Sequence, residues 1–187
     1  MGIESASSAP HESDGGKWFW VALFVVVALA VGLTMLLRQS IKPARSFPSA
    51  NRPAPQIHAA GWLNGPGPTA GDLRGKVIVL DAWAFWCEPC RRVAPELVSL
   101  HEKYRERVMF LGLTGEGAAA DVQNRQFLNA TKITWPNGYG AIETLVSLNT
   151  ESIPQRWVID RQYNIIWDEN STERIETAIE RALAEQP

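Results

Sequence analysis

Cysteine is nearly missing from this chain. Cys87 and Cys90 are the only two among 187 residues, and they stand together in the stretch Trp86-Cys87-Glu88-Pro89-Cys90. Histidine is almost as scarce: His11, His58 and His101 lie far apart, with no His-x3-5-His spacing. A structural zinc site takes four ligands, commonly two cysteine pairs or one pair with two histidines. A metal clip here would need a second chain to complete it, so no metal is assigned. A structural crosslink stabilises mainly by closing a long loop, and a pair this close gains little from that. Thiol–disulfide exchange is the reading that the flanking sequence must support.

A surplus of basic charge is also missing. The net charge of -2 gives no basis for binding nucleic acid. Hydrophobic residues make up 45% and charged residues 20% of the chain, a globular rather than a disordered composition. No internal repeat is visible, and no cofactor motif stands out.

From Trp18 to Leu37 charge is absent altogether. A helix of that length matches the ~30 Å hydrocarbon core of a bilayer, and Trp18 and Trp20 sit at one end, where an interfacial belt would place them. A cleaved signal peptide is a rival reading, because Ala28-Leu29-Ala30 resembles a cleavage site. Yet the run stays apolar through Leu37, beyond a normal signal core, and Glu4, Glu12 and Asp14 oppose Lys17 before it. A buried core helix is the third reading, weakened by the lack of a polar face. The expected organisation is a disordered tail over 1–17, a transmembrane anchor over 18–37, a proline-rich linker over 38–56 and one domain over 57–187.

Orientation is contested within the sequence. Arg38, Lys42, Arg45 and Arg52 follow the apolar run, against Lys17 before it; the positive-inside rule then leaves the domain in the cytoplasm. Exchange chemistry argues for the other side, and long domains cross largely regardless of flanking charge. The expectation carried forward is a single-pass membrane protein, in contact with lipid through Trp18–Leu37, with an extracytoplasmic domain.

Within the domain, Lys76–Trp83 is a continuous apolar run interrupted by Asp81, the pattern of a strand buried on both faces. Val93, Leu97, Leu100 and Tyr104 recur at helical spacing, and Val108–Thr114 reads as a second buried strand. Strand, helix, strand is a crossover unit with parallel strands. Short helices are expected over 121–130 and 141–148, and a closing antiparallel hairpin from the apolar runs on either side of Arg161-Gln162-Tyr163. Ile175, Ala178, Ile179, Ala182 and Leu183 mark a final helix with Asn170 or Ser171 as cap. The turn-rich stretch from Gly61 to Thr69 is expected to form a short hairpin before the core.

The cysteines fall just past a buried strand, at the start of a helix. Unpaired N–H groups in a first helical turn stabilise a thiolate and lower its pKa. Positions i and i+3 share a helix face, and Pro89 suits a first turn. Cys87 is therefore the expected outer, attacking thiolate and Cys90 the resolving thiol. Glu88 sits between them and disfavours the thiolate. Trp86 is expected to shape the surface around Cys87, whereas Trp135, Trp157 and Trp167 read as packing. Asp81 has two readings: a buried carboxylic acid that accepts the proton of Cys90, or a solvated strand end.

The segment Val79–Pro95 resembles the active-site segment of the thioredoxin superfamily: the strand, the aspartate, Trp-Cys-x-Pro-Cys and Pro95, five residues after the second cysteine, all match. Together with the apolar N-terminal run, Asp72–Leu80 and Ser152–Asp160 narrow this to the membrane-anchored TlpA/ResA-like thiol–disulfide oxidoreductases. The resemblance implies an α/β thioredoxin fold with a central mixed sheet flanked by helices, a cis peptide bond before Pro154, and backbone groups of Ile153 that receive a substrate strand. It also implies protein thiols and disulfides as partners, cytochrome c apoproteins among them. Glu88, by disfavouring the thiolate, points to a reductase, which would take its electrons from a membrane donor. Two departures stand out. Val93 occupies a position where some ResA-like members carry glutamate. Gln155 and Arg156 replace small hydroxyl residues after the proline, and are expected to alter the docking surface. A non-catalytic module holding a partner near Pro154 is the alternative function. A thiol peroxidase of the same fold lacks its lone cysteine in a Thr-x-x-Cys setting.

Overall fold

The computed structural model describes residues 20, 21, 23–29, 31, 32 and 52–185. The chain divides into two units, Met1–Arg45 and Ser46–Pro187. In the first, every described residue is helical and exposed. Among the described residues no helix is long and apolar enough to cross a membrane. The rest of the stretch read as an anchor, the expected tail and the linker up to residue 51 lie outside the described residues.

The second unit is built on seven strands: β1 (Arg52–Pro53), β2 (Gly61–Leu63), β3 (Val77–Ala82), β4 (Val108–Leu113), β5 (Asn137–Tyr139), β6 (Gln155–Ile159) and β7 (Asn164–Asp168). Their order across one sheet is β1-β7-β6-β3-β4-β5-β2. The pairings β3–β4 and β4–β5 are parallel, and the other four are antiparallel, so the sheet is mixed as expected. The helices are α1 (Ala70–Leu73), α2 (Glu88–Tyr104), α3 (Asp121–Thr131), α4 (Ile142–Ser147) and α5 (Ile175–Ala184).

Strand β3 lies at the middle of this order, and all six of its residues are buried. Side-chain alternation divides it between two cores. Val77 and Val79 join Ala94, Leu97 and Leu100 of α2 and Ile175, Ala178 and Ile179 of α5. Ile78, Leu80 and Ala82 join Leu111, Trp157 and Ile165 on the other face. Asp81 continues the row of Val77 and Val79, so its side chain belongs to the face that α2 covers. Trp135, Trp157 and Trp167 are all buried, as read from the sequence.

Three local expectations are corrected. Gly61–Leu63 forms no hairpin with the residues after it; it pairs antiparallel with Asn137–Tyr139 at the sheet edge. Asn64 and Gly65 take φ of 58° and 135°, and Pro66 and Pro68 then offer no amide N–H for a ladder. The chain turns instead into α1, capped by a reciprocal Thr69–Asp72 pair. Helix α5 is capped by neither Asn170 nor Ser171. Arg174 is its N-cap, because the Ser171 hydroxyl accepts from the Asp168 N–H in the turn that leaves β7. Arg52–Pro53, in the stretch read as linker, add an edge strand beside β7, where a proline without N–H is tolerated.

Candidate active site

The chain leaves β3 through Trp83 and Ala84 and enters α2 at the cysteines. Trp83 is buried, stacked on Phe127 at 4.5 Å between centroids, and its Nε1 donates to Asn137 Oδ1 at 2.8 Å. Gly112 passes against this pair: a Cβ there would strike the Asn137 amide and lie 2.9 Å from Trp83 Nε1. The loop before the cysteines thus rests on a fixed aromatic floor.

Cys87 is the N-cap of α2, with Glu88 and Pro89 opening the helix. It forms a disulfide with Cys90 across a Cα–Cα distance of 5.3 Å. The Cys90 N–H donates to Cys87 Sγ at 3.1 Å, so one first-turn amide already points at the sulfur expected to carry charge. Exposure does not separate the two cysteines, each being 3% exposed in this oxidised form. Their asymmetry lies in position: Cys87 caps the helix, and Cys90 is one turn inside it.

Glu88 is exposed, with Arg91 and Arg92 each 3.9 Å from its carboxylate. Trp86 is 62% exposed, and its Nε1 donates to Glu116 Oε1 at 2.8 Å. Sequence reading missed Glu116, which comes from the loop after β4. The Ile153–Pro154 peptide bond is cis. Ile153 packs against the core cluster that contains both cysteines, and Pro154 borders a cavity of about 500 Å³ with Val146, Glu151, Gln155 and Glu169.

Asp81 is 4% exposed, and its Oδ1 is buried without a hydrogen-bond partner. The side chain is therefore buried, which rules out a solvated strand end. Burial is the largest influence and pushes its pKa up to about 7; Arg156 pulls it down and Glu169 pushes it up. Arg156 itself corrects an expectation. It is 6% exposed and belongs to the protein interior, not to the docking surface. Alternation from Trp157, which packs on the opposite face, directs Arg156 toward α2. There its Nη1 donates to Glu96 Oε2 at 2.8 Å, and its Nε and Nη2 donate to the two Glu169 oxygens at 2.7 Å each. Among the described residues no group of three or more histidine, cysteine, aspartate or glutamate side chains is arranged to hold a metal ion.

A mixed sheet, a helix-capping cysteine pair and a buried acid on the strand that leads into it define a thioredoxin-like protein-disulfide oxidoreductase. The chain belongs to the AhpC/TSA family, whose model matches residues 51–168, and within the thioredoxin superfamily it is TlpA/ResA-like. It is 26% identical over 101 residues to the thioredoxin-like protein YneN of Bacillus subtilis, covering 54% of this chain and 59% of that one. To the thiol-disulfide oxidoreductase ResA of Bacillus thuringiensis it is 24% identical over 150 residues, or 79% and 84% of the two chains. A thiol-disulfide isomerase from Corynebacterium glutamicum shares the fold with a TM-score of 0.61 and 20% identity, covering 72% of this chain and 97% of that one.

Proposed function

We propose that this chain is a membrane-anchored oxidoreductase that reduces disulfides of extracytoplasmic proteins by cycling Cys87 and Cys90 between dithiol and disulfide. The observation that carries this reading is the cysteine pair at the N-terminus of α2, with the buried Asp81 at the end of the strand leading into it. In the reduced form the Cys87 thiolate attacks one sulfur of a partner's disulfide. That S–S bond breaks, and the partner's other sulfur leaves as a thiolate. Cys90 then gives its proton to Asp81, and its sulfur attacks Cys87 Sγ. The partner's second sulfur departs, and two electrons have passed to the partner. The Cys87–Cys90 disulfide is the product state, and a membrane donor returns it to the dithiol.

Ile153 and Pro154 form the docking loop in this reading, with the cavity beside Pro154 receiving partner side chains. Cytochrome c apoproteins are the substrates that the resemblance suggests. A module that merely held a partner in this cavity would have no use for the cysteines. The test has two arms. Insulin reduction by the full chain with dithiothreitol should show turnover, and a phosphatase fused after Pro187 should be active outside the cytoplasm. Absent turnover overturns the activity, and an inactive phosphatase beside an active cytoplasmic reporter overturns the orientation.

The reducing direction rests on Glu88. Its carboxylate opens the helix beside Cys87 and disfavours the thiolate that the helix terminus favours. Strong oxidants of this class stabilise their reduced form through a low thiol pKa. Glu88→His is expected to raise the reduction potential, measured by equilibration with glutathione. A wild-type potential near roughly -120 mV, or no rise in the variant, would remove the support for this direction.

A further inference from the structure

Arg156 takes no part in the exchange chemistry itself, yet it stands beside the acid that does. Strands β3 and β6 pair antiparallel, with Asp81 directly opposite Arg156, so the two side chains leave the sheet on the same face as near neighbours. Both are buried. An arginine beside a buried aspartate would ordinarily form a two-pronged pair with it and hold it ionised. Here the guanidinium is engaged elsewhere. Glu169, just past β7, takes Nε and Nη2 at 2.7 Å each, and Glu96, on the cysteine-bearing helix, takes Nη1 at 2.8 Å. Asp81 Oδ1 keeps no partner.

We infer that Arg156 is a positioning residue for proton transfer: clamped by Glu96 and Glu169, its guanidinium sets a fixed positive charge beside Asp81 and so determines the pH at which Cys90 resolves the mixed disulfide. The inference rests on the reading of Asp81 as the proton acceptor. The clamp takes up the bidentate face of the guanidinium, so its charge acts through space while Asp81 remains able to take a proton. Only arginine supplies a fork that can engage two carboxylates from two elements at once. The clamp also joins α2, which carries the cysteines, to the strand that follows Pro154.

Among the described residues, Arg156 and Glu169 are the charges that act on Asp81. Its partner in β4 is Gly112, and α5 contributes Ile175, Ala178, Ile179 and Ala182 to this core. The charged groups that act on it are Arg156 from β6 and Glu169 beyond β7, with Glu96 of α2 on the far side of the guanidinium. Arg156 lowers the proton affinity of Asp81 and Glu169 raises it. Removing each should therefore move the reaction in opposite directions, which a purely structural clamp would not do.

The test is the second phase of the reaction of the reduced full chain with dithionitrobenzoate. Cys87 attacks the reagent and releases one thionitrobenzoate; Cys90 then attacks Cys87 Sγ and releases the second, whose colour gives the resolution rate at each pH. In Arg156→Gln the acid limb of this rate should move up by about one pH unit. In Glu169→Gln it should move down, and that carboxylate is partly exposed, so the variant keeps the fold testable even if Arg156→Gln unfolds. Arg156→Lys keeps the positive charge but loses the fork, so its limb should lie below that of Arg156→Gln. Limbs that coincide in wild type, Glu169→Gln and Arg156→Gln, with only thermal stability changed, would reduce Arg156 to a structural clamp and overturn the inference. Asp81→Asn separates the two levels: if it resolves at the wild-type rate, Asp81 is not the acceptor, and that reading falls together with the inference.

Discussion

Replacing Cys87 by serine is expected to abolish disulfide reduction, and replacing Cys90 is expected to convert the protein into a trap. A serine hydroxyl stays protonated where a thiolate forms, and no third thiol exists in the chain. Loss of the nucleophile should lower insulin turnover on the order of a thousandfold or more, to the dithiothreitol background. The two substitutions differ because the cysteines occupy different places in the helix. Cys87 caps α2 and receives the Cys90 N–H, so its thiolate is the one that helix amides support. In Cys90→Ser that attack still occurs, and the mixed disulfide then has no internal thiol to release it. Mixing each variant with a disulfide-bearing protein, followed by non-reducing electrophoresis, should show a covalent adduct with Cys90→Ser and none with Cys87→Ser. Equal trapping by both variants, or equal reactivity of the two thiols toward iodoacetamide in the reduced protein, would mean that the helix terminus does not select the nucleophile.

Much of this site is legible because its signals are local. A six-residue apolar strand, a cysteine pair and a helix of regular apolar spacing follow one another within thirty residues, and each specifies its own conformation. Hence β3, α2 and β4, the parallel crossover and the β6–β7 hairpin match the structure closely. Asp81 stands out because a carboxylate inside an apolar run is costly unless it is kept protonated or partnered.

The features that are not legible depend on partners distant in sequence. Gly61–Leu63 carries turn residues beside it that suggest a hairpin, yet its partner is β5, more than seventy residues on. Arg52–Pro53 has no strand character of its own and is extended because β7 offers an open edge. Arg156 reads as a surface residue because Gln155 and Arg156 precede the apolar run of β6. Counting by twos places it otherwise: Arg156 and Val158 alternate with Trp157 and Ile159, and both faces of that strand are covered. Its two carboxylates, Glu96 and Glu169, lie 60 and 13 residues away, and no pattern in the sequence joins them. The asymmetry between fold and site is therefore physical. Backbone conformation follows largely from neighbours in sequence, whereas the charge environment of a buried acid follows from which strands meet.

The folded protein is expected to lose stability as pH rises through the range in which Asp81 ionises, and Asp81→Asn is expected to remove that loss. Unfolded, Asp81 releases its proton near 3.8; folded, it holds the proton until about 7. Between those values the folded state binds one more proton than the unfolded state, so raising the pH favours unfolding. Stability from this group is fully present below the unfolded value and is gone once the pH has passed the folded one. A gap of about three pH units corresponds to about 4 kcal/mol at most, a large share of the 5–15 kcal/mol typical of a domain. Other groups titrate in the same range, so the informative quantity is the difference between wild type and Asp81→Asn, both with the disulfide intact. Guanidinium unfolding near pH 5 and near pH 8 should show that difference changing by about 2–3 kcal/mol in favour of the variant at the higher pH. Parallel pH dependences would mean that Asp81 meets water in the folded state and has no raised pKa to lend to Cys90. If the slope appears as expected, the same variant should be slow in releasing the second thionitrobenzoate, because asparagine cannot take a proton. Loss of the pH slope together with slow resolution in Asp81→Asn would tie the raised pKa of this carboxyl to the proton that Cys90 must lose.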